Sequence, residues 1–406
     1  MSHADEKPIP ARAFHIPLWS HLLCRWADRI AVGHLTLEFP DGRRHHVRSS
    51  LPGPSASLRI RRPASLVRKL ATGGSLGLAR GYVDGDWDTA DLGALLKFGH
   101  ANEAALAPVL QAPRLAKALA YLRHRTRSNT RGGSRRNIAF HYDLGNDFYR
   151  QWLDETMTYS AGLFSSADQS LAGAQRAKYA RIVDELGIGP DDQVLEIGCG
   201  WGGFADYAAR EIGCRVTALT LSREQAEFAR DRLAAAGLSD RVEIRLQDYR
   251  DCPGEFDKVV SIEMFEAVGE ENWPVYFDVV RERLKPGGRA MIQVITIADA
   301  HFAHYRRNAD FIQTYIFPGG MLPSYGAFAA VAADSGLTIR DSHFFGADYE
   351  RTLLHWDRSF AAAWHRIENL GFDARFKRMW RYYLHYCAVG FRTGRIDVGQ
   401  FHLERA

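Results

Sequence analysis

The run Glu196-Ile-Gly198-Cys-Gly200-Trp-Gly202 sets a carboxylate two residues ahead of a glycine-rich turn, inside the stretch VLEIGCGWGGFADYAAR. Such turns hold ligands because glycine lets the backbone come close. Where a helix follows, its free N–H groups and dipole favour anions. The G-x-G-x-x-G spacing by itself fits a dinucleotide. Two features of the chain argue against that. A ribose-binding acid is expected about 20 residues further on, but the next predicted strand ends in Thr220-Leu221-Ser222. Glu196 would also stand beside a pyrophosphate and repel it. A carboxylate there suits a ligand that carries positive charge and no phosphate.

The elements that must position this turn alternate along the chain. A helix is predicted over 171–186, then a strand in DQVLEIGCG, a helix in GFADYAAREI and a strand in CRVTALTLS. A helix follows in SREQAEFARDRLAAAG, with Ser222 as its N-cap and Gly237 as its stop. RVEIRLQDY and FDKVVSIEMF read as strands, WPVYFDVVRERLK as a helix, PGG as a turn and RAMIQVITI as a strand. This alternation predicts an α/β fold with a doubly wound, mostly parallel sheet. Ligands then bind beyond the carboxyl ends of the strands, at the turns after VLEIG, VTALT, IRLQD and VVSIE.

The segment before this series reads differently. HLTLEFPDGRRHHVR predicts a hairpin turning at Asp41-Gly42. LRIRRPASLVRKLAT predicts a short strand and a helix from Pro63, and residues 113–125 predict one more helix. RHRTRSNTRGGSRRN is basic, polar and without apolar period, as an exposed linker would be. The expected organisation is a small N-terminal α+β domain over 1–122, a linker over 123–136 and the main domain over 137–406.

The 406 residues are 46% hydrophobic and 25% charged, which suits a globular protein. Five scattered cysteines lack zinc or redox spacing and favour a reducing, cytoplasmic setting. No apolar run is long enough to span a bilayer, and MSHADEKPIPARAF lacks the apolar core of a signal peptide. Residues 1–136 hold 22 Lys+Arg against 10 Asp+Glu, while the rest hold 30 against 38. A basic half suggests a polyanionic partner, either nucleic acid or an anionic membrane. No nucleic-acid motif is present, so the membrane surface is the expected partner and the inner face of the membrane the expected place.

The acid-x-G-x-G-x-G pattern resembles the first motif of class I S-adenosylmethionine-dependent methyltransferases. FHYDLGNDFYRQWLDETMTYSAGLF, ALTLSREQ, LQDYRD, FDKVVSIEMFEAVG, YIFPGGMLPS, FGADYERTL and RMWRYYLHYCAVGFRTG extend the likeness. Together they resemble the cyclopropane fatty acid synthase and mycolic acid methyltransferase family over residues 137–397. YVDGDWDTADLGALL resembles that family's N-terminal domain. The resemblance implies methyl transfer from S-adenosylmethionine to the double bond of an unsaturated acyl chain, usually in a membrane phospholipid. It implies that Tyr159 and Ser160 contact the methionine part, with Glu196, Gly198, Gly200 and Gly202 around it. Thr220 and Gln225 would serve the ribose region, and Gln247 and Asp248 the adenine. The oligomeric state is left open, a homodimer included.

Attack of an alkene on a sulfonium methyl leaves a carbocation, which calls for water exclusion and for carboxylate or aromatic faces. Trp201, Phe265, Tyr305, Tyr315, Phe317, Tyr349 and Trp380 are the aromatic candidates, although core packing accounts for most such residues. In the family a bound bicarbonate removes a proton and the ring closes. Glu266 and Tyr349 match bicarbonate-site positions, and Cys387 matches a cysteine commonly assigned to the active site. Three polar positions of that site are changed here, to Ala161, Ala267 and Gln293. The expectation is weak bicarbonate binding and a methyl- or methylene-branched product, with a true cyclopropane synthase as the alternative. A NAD-dependent oxidoreductase and a non-catalytic lipid-binding module are the readings from other classes, and both fit the motifs less well.

Overall fold

The computed structural model describes residues 18–111, 113 and 144–405. The predicted linker over 123–136, and nearly all of the predicted helix over 113–125, lie outside the described residues. The chain divides after Ala112 into two compact units.

In the first unit, β1 (Val32–Glu38) pairs antiparallel with β2 (Arg44–Arg48), as the Asp41-Gly42 turn predicts. β3 (Leu51–Ile60) is longer than expected and runs parallel to β1, and β4 (Trp87–Asp88) closes the edge. The helix Pro63–Val83 starts at the predicted proline. Several basic side chains of this unit are engaged internally. Arg61 meets Asp88 at 3.0 Å, Arg62 meets Asp86 at 2.7 Å, and Lys69 lies 2.6 and 2.7 Å from Asp84 and Asp86. Asp86 is fully buried, so its pairs with Arg62 and Lys69 offset the cost of a buried charge.

The second unit carries a seven-stranded sheet in the order β10-β11-β9-β8-β5-β6-β7. Its strands are β5 (Gln193–Ile197), β6 (Arg215–Thr220), β7 (Val242–Leu246), β8 (Phe256–Ile262), β9 (Leu284–Ile297), β10 (Leu337–Phe344) and β11 (Ile396–Arg405). β5 to β9 are mutually parallel and β11 runs antiparallel between β9 and β10. β5 is buried from Val194 to Ile197, the near-continuous burial that helices on both faces impose. From β5 the chain steps outward through β6 to β7, then returns to β8 on the other side of β5. This reversal creates the switch-point crevice where such sheets bind ligands.

Two details depart from the sequence reading. The helix of GFADYAAREI is α-helical over Gly203–Tyr207 and then widens to π geometry over Ala208–Ile212. The Pro286-Gly287-Gly288 turn is absorbed into β9 as an irregularity: Leu284 pairs with Phe256 and the next partner of β8 is Arg289. The helices Leu171–Leu186 and Arg223–Ala235 are capped by Ser170, which accepts from the Gly173 N–H at 3.1 Å, and by Ser222, which accepts from the Gln225 N–H at 3.3 Å.

Candidate active site

The turns at the carboxyl ends of β5, β6, β7 and β8 form one cleft, closed by the segment before the helix Leu171–Leu186. It is lined by Tyr159, Ser160, Glu196, Gly198, Gly200, Thr220, Gln225, Gln247 and Asp248, among others. Gly202 stands just behind the lining, at the start of the helix Gly203–Tyr207. Glycine is required at Gly198, whose φ is 87° and where a Cβ would fall 2.7 Å from the Met264 side chain. Thr220 Oγ1 donates to Gln225 Oε1 at 3.0 Å, so two small polar groups stand where a dinucleotide site would place an acid. Asp248 is buried, with both oxygens on Arg250 at 2.9 and 2.7 Å, and Gln247 Nε2 donates to the Asp251 carbonyl at 2.8 Å. These bonds fix the floor of the cleft.

Glu196 is buried, and its Oε2 has no hydrogen-bond partner among the described residues. The Ala205 N–H donates to the carboxylate, but burial dominates and pushes its pKa up to about 8. A buried carboxyl beside the cleft with an unused oxygen fits the cationic end of S-adenosylmethionine, whose arrival would favour ionisation.

The most informative acid is Glu263, which lies at the tip of β8 and lines the same cleft. Its φ is 50°, a left-handed conformation costly for a residue with a Cβ. That conformation turns the carboxylate into a nest of donors. The Ala161 N–H and Gln293 Nε2 both donate to Oε1 at 2.8 Å, and the Tyr349 hydroxyl donates to Oε2 at 2.6 Å. Ala161, Gln293 and Tyr349 are three of the positions that the family resemblance assigns to the bicarbonate site. In this chain all three donate to the Glu263 carboxylate. Burial raises the Glu263 pKa, and Tyr349, Lys178, Ala161 and Gln293 oppose the rise. The Tyr349 hydroxyl is pushed well above its ordinary value, so it remains a donor. The sequence reading passed over Glu263 in favour of Glu266. The available signal was its place at the end of VVSIE, where the strand-end rule puts ligands.

Beneath the cleft lies Lys178, fully buried on the helix Leu171–Leu186. Its Nζ donates to Ser160 Oγ and to Gln175 Oε1, each at 2.6 Å. Burial lowers its pKa to about 7, against the pull of Glu263, Asp154 and Glu196. Lys178 therefore ties the Tyr159-Ser160 segment to three acids by charge.

Glu266 is buried three residues beyond Glu263, and its Oε2 has no hydrogen-bond partner among the described residues. Its Oε1 accepts from the Ile295 N–H at 2.6 Å, and burial beside Glu263 pushes its pKa up to about 8. Tyr349 reaches Glu263 and not Glu266, because the left-handed turn brings the earlier acid inward. Ala267 lines the cleft. Cys387 sits where burial and Asp310 push its thiol far up, so no thiolate forms. Cys387→Ala is therefore expected to keep kcat within about threefold of the parent, with unchanged resistance to thiol reagents in steady-state assays. A loss of a hundredfold would make the thiol a participant.

The aromatic candidates separate in the same way. Trp201 lines the cleft and donates from Nε1 to Asn146 Oδ1 at 2.6 Å. Phe265 is core, packed on Trp273, Tyr276, Phe277 and Phe328. Trp380 belongs to a second aromatic core with Phe148, Trp152 and Phe376. Tyr349 packs on Phe391 beside Glu263, and the Tyr159 and Tyr383 hydroxyls share a 2.7 Å hydrogen bond. Tyr305 receives the Leu322 N–H at 3.4 Å, Tyr315 packs on Phe311 and Phe317 on Tyr383.

A seven-stranded sheet with this switch point and a cleft at its strand ends is the architecture of class I S-adenosylmethionine-dependent methyltransferases. Comparison with known proteins makes the assignment specific. Residues 129–401 match the family model described as mycolic acid cyclopropane synthetase, and the chain belongs to that family. It is 39% identical to the tuberculostearic acid methyltransferase UfaA1 of Mycobacterium tuberculosis, over 98% of this chain and 93% of that protein. It is 38% identical to the cyclopropane-fatty-acyl-phospholipid synthase of Escherichia coli, over 86% and 88%. Among solved structures, mycolic acid cyclopropane synthase CmaA1, complexed with SAH and CTAB, superposes with a TM-score of 0.63 at 31% identity. It covers 67% of this chain and 98% of its own.

Proposed function

We propose that the protein methylates the double bond of an unsaturated acyl chain in a membrane phospholipid, and that Glu263 is the built-in base that completes the reaction without bicarbonate. The observation that carries this reading is the Glu263 carboxylate seated on Ala161, Gln293 and Tyr349. S-adenosylmethionine, when bound, supplies an electrophilic methyl group. The residues of the cleft do the rest. Glu196 and the Gly198–Gly202 turn hold the cofactor's cationic end, and the buried Tyr349 and Tyr383 rings exclude water around the acyl chain. The carboxylate of Glu263 faces the cation that methylation leaves on the chain.

A 1,2-hydride shift then moves the positive charge to the carbon that bears the new methyl, a more stable tertiary centre. Glu263 takes one methyl proton and the C–H electron pair forms a C=C bond. The product is a methylene branch and the carboxyl ends protonated. The chain is similar both to a protein named as a tuberculostearic acid methyltransferase and to one named as a cyclopropane-fatty-acyl-phospholipid synthase, so the choice of an open-chain outcome rests on Glu263. Turnover in carbon-dioxide-purged buffer tests the reading. The expected rate matches that with added bicarbonate, whereas a rate that collapses until bicarbonate is restored would contradict it.

We also propose that the first unit docks on anionic bilayers, which makes the enzyme peripheral at the inner face of the membrane. No helix among the described residues is long and apolar enough to cross a membrane. Leu18 and Trp19 are exposed at the start of the helix Leu18–Ala27, the kind of pair that inserts at an interface. Arg61, Arg62 and Lys69 are poor targets for a charge test because they hold Asp88, Asp86 and Asp84. Sedimentation with phosphatidylglycerol vesicles is expected to show binding that falls with salt and falls further in Leu18→Asp/Trp19→Asp. Equal binding to neutral phosphatidylcholine vesicles would refute the docking.

A further inference from the structure

Glu263 receives one of its donors from an amide, and an amide can turn either way. What turns this one is visible in the fold. Gln293 on β9 and Gln400 on β11 are direct register partners, so their side chains share one face of the sheet. Both are buried. Gln400 Nε2 donates to Gln293 Oε1 at 3.0 Å, and Gln293 Nε2 donates to Glu263 Oε1 at 2.8 Å. The outer end is Arg181, whose Nη1 donates to Gln400 Oε1 at 3.3 Å. Arg181 lies one turn beyond Lys178 on the helix Leu171–Leu186, and Glu185 and Asp341 hold its other side at 3.4 and 3.5 Å.

A guanidinium has donors and no acceptor, so the group facing it must be an oxygen. That fixes Gln400, which must then offer its NH2 to Gln293, which must in turn offer its NH2 to Glu263. We infer that Arg181 and Gln400 are positioning residues for the reaction, forming a one-way donor chain that keeps Gln293 turned to hold Glu263 as an oriented carboxylate. The inference rests on Glu263 being the base. Reversal of the chain would place the Gln293 carbonyl against the carboxylate, and the protonated acid would then be the favoured form.

Gln400→Glu makes that reversal. A carboxylate at position 400 still accepts from Arg181 but cannot donate, so Gln293 turns its NH2 outward. Other titratable groups facing Glu263 are Lys178 from the helix Leu171–Leu186, Tyr349 from the helix Gly346–Asn369 and Glu266 from the turn after β8. His343, the β10 register partner of Gln400, stands beside the chain, where burial and Arg181 lower its pKa. All of these remain in the variant.

The experiment measures kcat against pH for the full chain on vesicles of oleoyl phosphatidylglycerol. Gln400→Glu is expected to move the acid limb upward by about one pH unit and to lower kcat tenfold at a pH on that limb, with KM for S-adenosylmethionine unchanged. Arg181→Met, at a partly exposed position that guards against misfolding, is expected to shift the limb in the same direction, and Arg181→Lys to restore it because lysine also only donates. An acid limb unmoved in Gln400→Glu and Arg181→Met, with Glu263→Gln inactive, would overturn the chain and leave Glu263 as the base. An active Glu263→Gln would overturn both.

Discussion

Glu263→Gln is expected to lose about a hundredfold to ten-thousandfold in kcat, the range spanned by removal of a positioned general base. The amide keeps the size of the side chain and can still meet the Tyr349 hydroxyl, but it cannot take a proton. Glu263→Ala should lose as much and gain something the amide variant cannot. It leaves the Ala161 N–H, the Gln293 amide and the Tyr349 hydroxyl around an anion-sized gap. A buried donor set left unpaired is costly, so a small anion that replaces those bonds should bind. Added formate or bicarbonate is expected to restore part of the activity of Glu263→Ala and none of Glu263→Gln, where the gap is filled. Saturable rescue read by S-adenosylhomocysteine release checks this. Rescue absent in both variants would remove the donor nest from the mechanism.

The second large effect concerns Glu196. A charge-assisted contact contributes about 1.5–3 kcal/mol, so Glu196→Gln should weaken S-adenosylmethionine binding by about 10- to 100-fold. The sign with pH follows from the raised pKa. Free protein keeps this carboxyl protonated up to about pH 8. A cationic ligand favours the ionised form, so binding releases the proton and tightens as pH rises through the range below 8. Above 8 the dependence should flatten. Calorimetry at pH 7 in two buffers of different ionisation heat is expected to show release of close to one proton by the parent and less by Glu196→Gln. Lys178, Glu263 and Glu266 remain in the variant, and loss of the Glu196 charge lowers the Lys178 pKa further, so the lost proton release reports Glu196 together with its Lys178 partner. Equal proton release in both would move the titration elsewhere.

The doubly wound sheet was legible because its strands are short apolar runs between clear helix and turn signals, from VLEI to MIQVIT. The cofactor cleft was legible for the same reason: its residues sit at strand ends, so order along the chain becomes proximity in space. Glu263 was harder. It stands three residues before Glu266, and which of the two faces the donors depends on a left-handed backbone that no propensity favours. Its partners Ala161, Gln293 and Tyr349 lie 102, 30 and 86 residues away. The changes to alanine and glutamine read separately as losses, and only the folded chain shows that a neighbouring carboxylate fills the space. The basic first unit was legible as a net charge but not as individual partners. Arg61, Arg62 and Lys69 count as positive charge in the sequence, but closure of the fold sets them on acids of the YVDGDWD run.

In the proposed reaction a side-chain carboxylate, not a bound bicarbonate, takes the last proton and leaves an open branch. Proton NMR of the lipid product tests it most directly, using purified enzyme, S-adenosylmethionine and oleoyl phosphatidylglycerol vesicles in carbon-dioxide-purged buffer. A methylene branch and a cyclopropane have the same mass, but vinylidene protons resonate far downfield and ring protons far upfield. Vinylidene signals are expected, formed at the same rate with and without bicarbonate. Upfield ring signals that appear only when bicarbonate is supplied would contradict it.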